Sequence, residues 1–308
     1  MGLQVSVHPA GTREFLRTAV VEGGGELVPP DAAEALVWAS PAGAHELRAL
    51  LARHAGIRWV QLPWAGIEPF VDVLDRDHVW TAGQDVYSEP VAELALALAL
   101  AGLRDFKRRA RADAWQPPSG LSLMDGRATI VGAGGIARAL AKLLAPFRVQ
   151  LTVVRRRADR PFDDGTLRPV RTLPFEERVA AFAGADVVFL ACALTKETRG
   201  LVGARELRAM KPSAWLVNVA RGGPVDTDAL VRALADGAIG GAGLDVTDPE
   251  PLPAGHPLWA SARCLITPHC GNTPEMAVPL LSARVRENVR RYAAGEQLLG
   301  IVDVDAGY

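Results

Sequence analysis

Residues 128–140 read "ATIVGAGGIARAL". A strand-like run of small and β-branched residues stops at Gly132, and an apolar helix pattern starts within three residues. Between them, Gly132, Gly134 and Ala137 spell G-x-G-x-x-A. The first glycine permits the tight turn, the second lets the backbone approach a pyrophosphate, and the small third residue lets the helix pack on the strand. Gly135 and Ile136 open the helix, whose N-terminus offers N–H groups and a partial positive charge to phosphates. With strand and helix both in place, the turn reads as a dinucleotide site rather than an ordinary strand–helix joint.

Working outward, the next strand, "VQLTVV", runs straight into Arg155, Arg156 and Arg157. In this kind of fold, the residue ending the second strand meets the adenosine ribose, and a carboxylate there binds the 2′-hydroxyl of NAD. Arg155 stands in that place. A guanidinium can form paired charge-assisted bonds to a 2′-phosphate, with Arg156 close enough to share it. The expected cofactor is therefore NADP (NADPH), with NAD as the second choice. The competing reading is a solvated arginine run, because the chain holds only four lysines among its 34 basic residues.

Further strands follow at "ADVVFLA", "AWLVNVA", "GAGLDV" and "CLITPH", giving six with intervening helices. Upstream, "LQVSV", "ALVWAS", "IRWVQL" and "HVWTAG" alternate with helical stretches such as "GAHELRALLARHAG". Strands alternating with helices imply parallel sheets covered on both faces. The apolar "EPVAELALALALAGLRDF" predicts a buried helix bridging two domains, and its basic end "KRRAR" predicts a solvated cap on the helix dipole. After "TPHCGNTPEM" come a long helix, residues 276–294, and the tail "GIVDVDAGY", expected to return to the first domain. The fold class is α/β: two doubly wound parallel-sheet domains, with a Rossmann cofactor domain (residues 99–279) inserted in a discontinuous flavodoxin-like domain (1–98 and 280–308).

Composition narrows the partners. A net charge of -1 over 308 residues argues against nucleic acid and anionic membranes, which call for a strong basic excess. No apolar run has the uncharged length of a membrane span, and the N-terminus lacks a signal-peptide pattern. "MGLQVS" matches a myristoylation pattern but reads better as a first buried strand. Cys192, Cys264 and Cys270 are too scattered for a disulfide framework, which fits a reducing compartment and a cytoplasmic location. No metal is expected: His269 and Cys270 are adjacent, so in an extended segment they point apart.

Three polar landmarks follow predicted strands at their carboxyl ends, where open α/β sheets bind ligands. They are Arg221 in "LVNVARGGPVD", Asp245 with Glu250 in "GLDVTDPEPLP", and His269 in "LITPHCGNTP". With them the chain resembles the D-isomer-specific 2-hydroxyacid dehydrogenases, most closely the glyoxylate/hydroxypyruvate reductases. The match is dense from Gly126 to Pro274 and sparser in "WVQLPWAGIE".

The resemblance implies hydride transfer to a small 2-oxo acid, giving a 2-hydroxy acid. It implies that Arg221 fixes the carboxylate and polarises the keto group, that His269 supplies the proton, and that Glu250 orients His269 and favours its protonated form. Ala220 and Asp245 are expected beside the cofactor, and backbone amides of Trp64, Ala65 and Gly66 at the substrate carboxylate. The family is usually a homodimer through the cofactor domain. Three residues depart from its pattern: Ala193 stands where proline is usual, Ala137 replaces the third glycine as a tolerated variant, and Trp64 stands where many relatives have a small residue.

His8, His45, His54, His78 and His256 sit at strand borders, on a helix or before a proline, and compete poorly with His269. A second reading from another class is a dinucleotide-sensing binding protein, since corepressors of the same superfamily keep the fold and the Arg/Glu/His set. A formate dehydrogenase-like reading is weaker, because that branch has glutamine where Glu250 stands.

Overall fold

The computed structural model describes residues 2–160, 162 and 169–305. Contacts divide the chain into two compact units, Met1–Tyr87 with Thr273–Tyr308, and Ser88–Asn272. The segments expected from sequence (1–98, 99–279 and 280–308) each reach residues outside this description: Met1, 161 with 163–168, and 306–308. The contact boundaries also differ from the expected ones at 98 and 279, both of which fall inside helices.

The first unit begins β1 (Leu3–His8), α1 (Glu14–Glu22), β2 (Gly25–Leu27), β3 (Ala35–Trp38), α2 (Ala44–Arg53), β4 (Trp59–Gln61) and β5 (Val79–Thr81). Its strands are all parallel, in the order β2-β1-β3-β4-β5. This is the flavodoxin-like order. The period of two along each strand sends alternate residues to opposite faces. Leu36, Trp38, Val60 and Trp80 meet Leu47, Leu50 and Leu51 of α2 in one apolar cluster. Sequence reading missed α1 and β2, the latter being only three residues long.

The second unit holds α3 (Ser88–Leu103), α4 (Phe106–Arg109), β6 (Arg127–Val131), α5 (Gly135–Leu144), β7 (Gln150–Val154), β8 (Arg171–Leu173), α6 (Arg178–Gly184), β9 (Val187–Leu190), α7 (Ala204–Ala209), β10 (Trp215–Asn218), α8 (Thr227–Ala235), β11 (Gly241–Leu244), α9 (Pro257–Ala260) and β12 (Cys264–Ile266). The sheet is parallel throughout, in the order β12-β11-β10-β9-β6-β7-β8. Relative to its first strand it runs in both directions, so β6 and β9 flank the topological switch point. Helices cover both faces. In β9, Val188 and Leu190 enter one apolar cluster while Val187 and Phe189 enter the other. The strand missed by sequence is β8, a three-residue edge strand.

Two expectations about the "KRRAR" helix need correction. The apolar helix α3 lies within the second unit, packed on α5, β10 and β11. At Asp105, with φ 53°, the chain breaks, and the basic end forms the separate short helix α4. Lys107 does not face solvent alone: its Nζ donates to the carbonyls of Ser261 and Cys264 at 2.8 and 2.7 Å, beside β12.

The chain then returns to the first unit as α10 (Pro274–Ala293), which packs on α1. The tail bridges β5 through Thr81 and Ile301, antiparallel. A buried polar chain ties these pieces to the sheet. Trp59 Nε1 donates to Thr81 Oγ1 (2.8 Å), Thr81 Oγ1 to Gln61 Oε1 (2.9 Å), and Asn288 Nδ2 to Gln61 Oε1 (3.0 Å). Asn288 also exchanges two bonds with the backbone of Leu299, at 3.0 and 2.9 Å.

Candidate active site

The glycine turn follows β6, at the switch point. Gly132 has φ 115°, and a Cβ there would lie 2.3 Å from the Ala191 carbonyl oxygen. Only glycine fits, because the backbone conformation and the close approach both exclude a side chain. Gly134 is different. Its backbone is extended (φ −81°, ψ −166°), and a Cβ would meet nothing within 4 Å. The protein's own packing does not call for glycine here, and the space beside it is open to an incoming group. Behind the turn, Ala137 is buried and lets α5 sit on the sheet, while Ile136 is partly buried against the same apolar cluster. The positive end of the α5 dipole, beginning at Gly135, faces the turn. These residues fit a dinucleotide pyrophosphate.

At the end of β7, Arg155 extends the ladder by donating its N–H to Leu173 O at 2.9 Å, and Nη1 donates to Arg160 O at 3.4 Å. Burial lowers its pKa, and the cations of Arg138, Arg157 and Arg160 lower it further against the opposing charge of Asp159. This concentration of guanidiniums suits an incoming anion. Arg156 is more exposed and lies 3.7 Å from Glu197 across to the loop after β9. In that loop, Thr198 Oγ1 donates to Ala193 O at 2.7 Å, bracing a turn that lacks the proline.

Arg221, Glu250 and His269 all follow carboxyl ends of neighbouring strands, β10, β11 and β12. The turn after β10 is held by Asn218, a buried residue whose Nδ2 donates to Arg221 O at 2.7 Å and whose Oδ1 accepts from Ala220 N at 3.1 Å. Ala220 is buried, and the half-buried Arg221 directs Nη1 to its carbonyl at 2.8 Å. Gly222 is forced by the neighbouring turn, since a Cβ would fall 1.9 Å from Thr247 O.

His269 Nδ1 lies 2.6 Å from Glu250 Oε1, and Glu250 Oε2 accepts from Thr247 N at 3.3 Å. His269, Glu250 and Asp245 line one hollow of about 220 Å³. The backbone of His269 is left-handed, φ 52°. Its N–H bonds to Asp245 O at 2.8 Å and Thr267 O at 3.0 Å. Asp245 is buried, and its carboxylate accepts from Thr267 Oγ1 (2.6 Å), Cys270 N (2.8 Å) and Gly271 N (3.0 Å). The residue expected beside the cofactor thus also clamps the histidine loop. Sequence reasoning missed Asn218 and Thr267. A polar residue in the otherwise apolar "WLVNV" was the available signal for the first.

Trp64, Ala65 and Gly66 lie in the first unit, after β4. Gly83 N donates to Trp64 O at 2.7 Å, while among the described residues the N–H groups of Ala65 and Gly66 have no acceptor. Among the described residues no three His, Cys, Asp or Glu side chains gather as a metal site, and no helix is long and apolar enough to cross a membrane.

Residues 92–271 match the NAD-binding domain of the D-isomer-specific 2-hydroxyacid dehydrogenases. An uncharacterized protein of Corynebacterium melassecola is 38% identical, over 94% of this chain and 96% of its own. The human glyoxylate reductase/hydroxypyruvate reductase is 32% identical over 83% of each chain. A crystal structure of a D-isomer-specific 2-hydroxyacid dehydrogenase from Xanthobacter autotrophicus Py2, in complex with NADPH and MES, aligns with a TM-score of 0.81 at 28% identity, covering 100% of this chain and 99% of that one. With a parallel sheet shaped for a dinucleotide and these relatives, the chain belongs to the D-isomer-specific 2-hydroxyacid dehydrogenases, a family of NAD(P)-dependent oxidoreductases.

Proposed function

We propose that this dehydrogenase is an NADPH-preferring reductase of small 2-oxo acids, of the glyoxylate/hydroxypyruvate type, producing D-2-hydroxy acids. The observation that carries this reading is the 2.6 Å pair of His269 Nδ1 and Glu250 Oε1, an acid and its orienting carboxylate at the edge of a dinucleotide sheet. The reduced nicotinamide, when bound, supplies a hydride to the carbonyl carbon. Arg221 binds the substrate carboxylate and the oxygen that gains charge, for which a planar fork is suited. His269 gives its Nε2 proton to that oxygen, while Glu250 holds the ring at Nδ1. The N–H groups of Trp64, Ala65 and Gly66 take the substrate carboxylate. Gly132, Gly134, Gly135 and Ile136 take the pyrophosphate, Ala220 and Asp245 border the nicotinamide, and Arg155 with Arg156 binds the 2′-phosphate.

Support for the substrate and cofactor comes from the name of the human relative and from the NADPH bound by the Xanthobacter neighbour. We place the enzyme in the cytoplasm, in keeping with its three free cysteines. We also propose a homodimer through the cofactor unit, where Phe106 and Trp115 are exposed after α3. Sedimentation equilibrium reading a single-chain mass would sink the dimer. The function is tested by following loss of reduced cofactor over a panel of 2-oxo acids with NADPH and NADH. Turnover of glyoxylate or hydroxypyruvate, at least tenfold faster in kcat/KM with NADPH, is expected. A protein that binds NADPH and reduces none of them would overturn the proposal.

A further inference from the structure

Arg13 stands at the amino end of α1, in the loop after β1, with its backbone left-handed at φ 50°. Its guanidinium carbon lies 4.3 Å from the centroid of the Trp64 ring, the first residue of the proposed substrate loop. Among the described residues no carboxylate pairs with it. Burial lowers its pKa, with only Tyr87 acting the other way. A half-buried cation whose one partner among the described residues is an aromatic face is incompletely compensated, since a cation–π contact recovers less than an anion would.

The platform beneath it is firm. Trp64 leans on Tyr87, with centroids 6.4 Å apart at 54°, and the buried Tyr87 donates its hydroxyl to Pro63 O at 3.4 Å. Gly83 backs the loop so closely that a Cβ would stand 3.1 Å from Trp64 C and 3.2 Å from Ala65 N. The other half-buried guanidinium of this cluster, Arg284 on α10, is committed to Ala82 O at 3.1 Å. Arg13 is therefore a preorganised cation next to the loop, its hydrogen-bonding edges without an acceptor among the described residues.

We propose that Arg13 is a specificity-determining residue that binds a second, distal carboxylate of the substrate, so that among small 2-oxo acids the enzyme prefers 2-oxo dicarboxylates. This rests on the reductase reading and on its assignment of the Trp64–Gly66 loop to the 2-oxo acid. A single fork matches a carboxylate, whereas a phosphate dianion calls for more positive charge than Arg13 supplies alone.

The test compares kcat/KM for 2-oxoglutarate and oxaloacetate with that for glyoxylate, in the parent and in Arg13→Met, which keeps an apolar stem on Trp64 without the charge. Phosphohydroxypyruvate provides the phosphate arm. The parent should favour a dicarboxylate about tenfold or more, and Arg13→Met should reduce that ratio by about tenfold to a hundredfold, the span of one charge-assisted bond. Arg13→Lys should restore part of it. A parent that favours glyoxylate overturns the proposal whether or not the variant folds. So does an unchanged ratio in Arg13→Met, or a preference for the phosphorylated acid.

Calorimetry separates this outcome from failure of the reductase reading. If nothing is reduced but 2-oxoglutarate binds the full chain, and binds about tenfold or more weakly to Arg13→Met, the reductase reading fails and the Arg13 assignment stands. Binding that is equal or undetectable in both proteins refutes Arg13 as the anchor.

Discussion

His269 owes its position to backbone bonds, since its N–H is held by Asp245 O and Thr267 O, and Asp245 also grips Cys270 and Gly271. Removing the ring leaves that frame intact. His269→Ala should therefore lower kcat by about 10²-fold or more with little change in NADPH affinity. A variant with near-parent kcat would refute the proton-donor role. In the proposed reaction the Glu250 carboxylate holds the ring at Nδ1 from 2.6 Å, whereas an amide would hold it with a weaker, neutral acceptor. Glu250→Gln should accordingly lower kcat by about tenfold or more with little change in NADPH affinity. Arg155 is surrounded by cations, whereas Arg156 already faces Glu197. Most of the NADPH preference should thus be lost in Arg155→Asp, with Arg156→Ser adding less, read as the kcat/KM ratio of the two cofactors. A parent ratio near one would reduce the arginines to a solvated run. Arg221, Glu250 and His269 could be singled out in sequence as polar residues just past the carboxyl ends of apolar strands, which is where the structure places them. Thr267 could not be, because the Asp245 carboxylate it binds becomes its neighbour only when β11 and β12 pair; Asn218, whose partners Ala220 and Arg221 are local, was overlooked inside an otherwise apolar strand.

Among the elements, α10 and the tail depend most on a few polar atoms. Asn288 is fully buried and satisfies both Gln61 and the backbone of Leu299. Asn288→Leu would strand those partners at about 1 to 3 kcal/mol for each unsatisfied group. A loss of about 2 to 4 kcal/mol in denaturant unfolding is expected, and a variant as stable as the parent would show that the network is ornamental. The parallel-sheet alternation was readable because strands such as Val187 to Leu190 are apolar on both faces. Short edge strands such as Gly25–Leu27 and Arg171–Leu173 carry too few residues to show a period. The basic stretch after α3 misled for another reason: nothing local reveals that the carbonyls of Ser261 and Cys264 will meet Lys107.

Across the whole molecule the thiols report on integrity. Burial pushes Cys192 and Cys264 up to about 12, while Cys270 is raised less, by burial and by Asp245, and is only half-buried. A thiol reagent at pH 8 should thus label one cysteine in the folded enzyme and three after unfolding, with peptide mapping placing the first at Cys270. Rapid labelling of Cys192 or Cys264 in folded protein would contradict their burial. The sign for stability follows: above pH 9 the unfolded chain releases these protons first, so alkaline pH favours unfolding up to about 12. The division of the chain has a further consequence for its birth on the ribosome. β1 to β5 are made first, yet α10 and the strand-bridging tail that complete their unit come after residues 88–272. The inserted unit has all its parts while the earlier one is still waiting, so the order of folding is expected to reverse the order of synthesis. A nascent chain stalled before Thr273 should hold the cofactor-binding sheet protected and the N-terminal sheet open to protease.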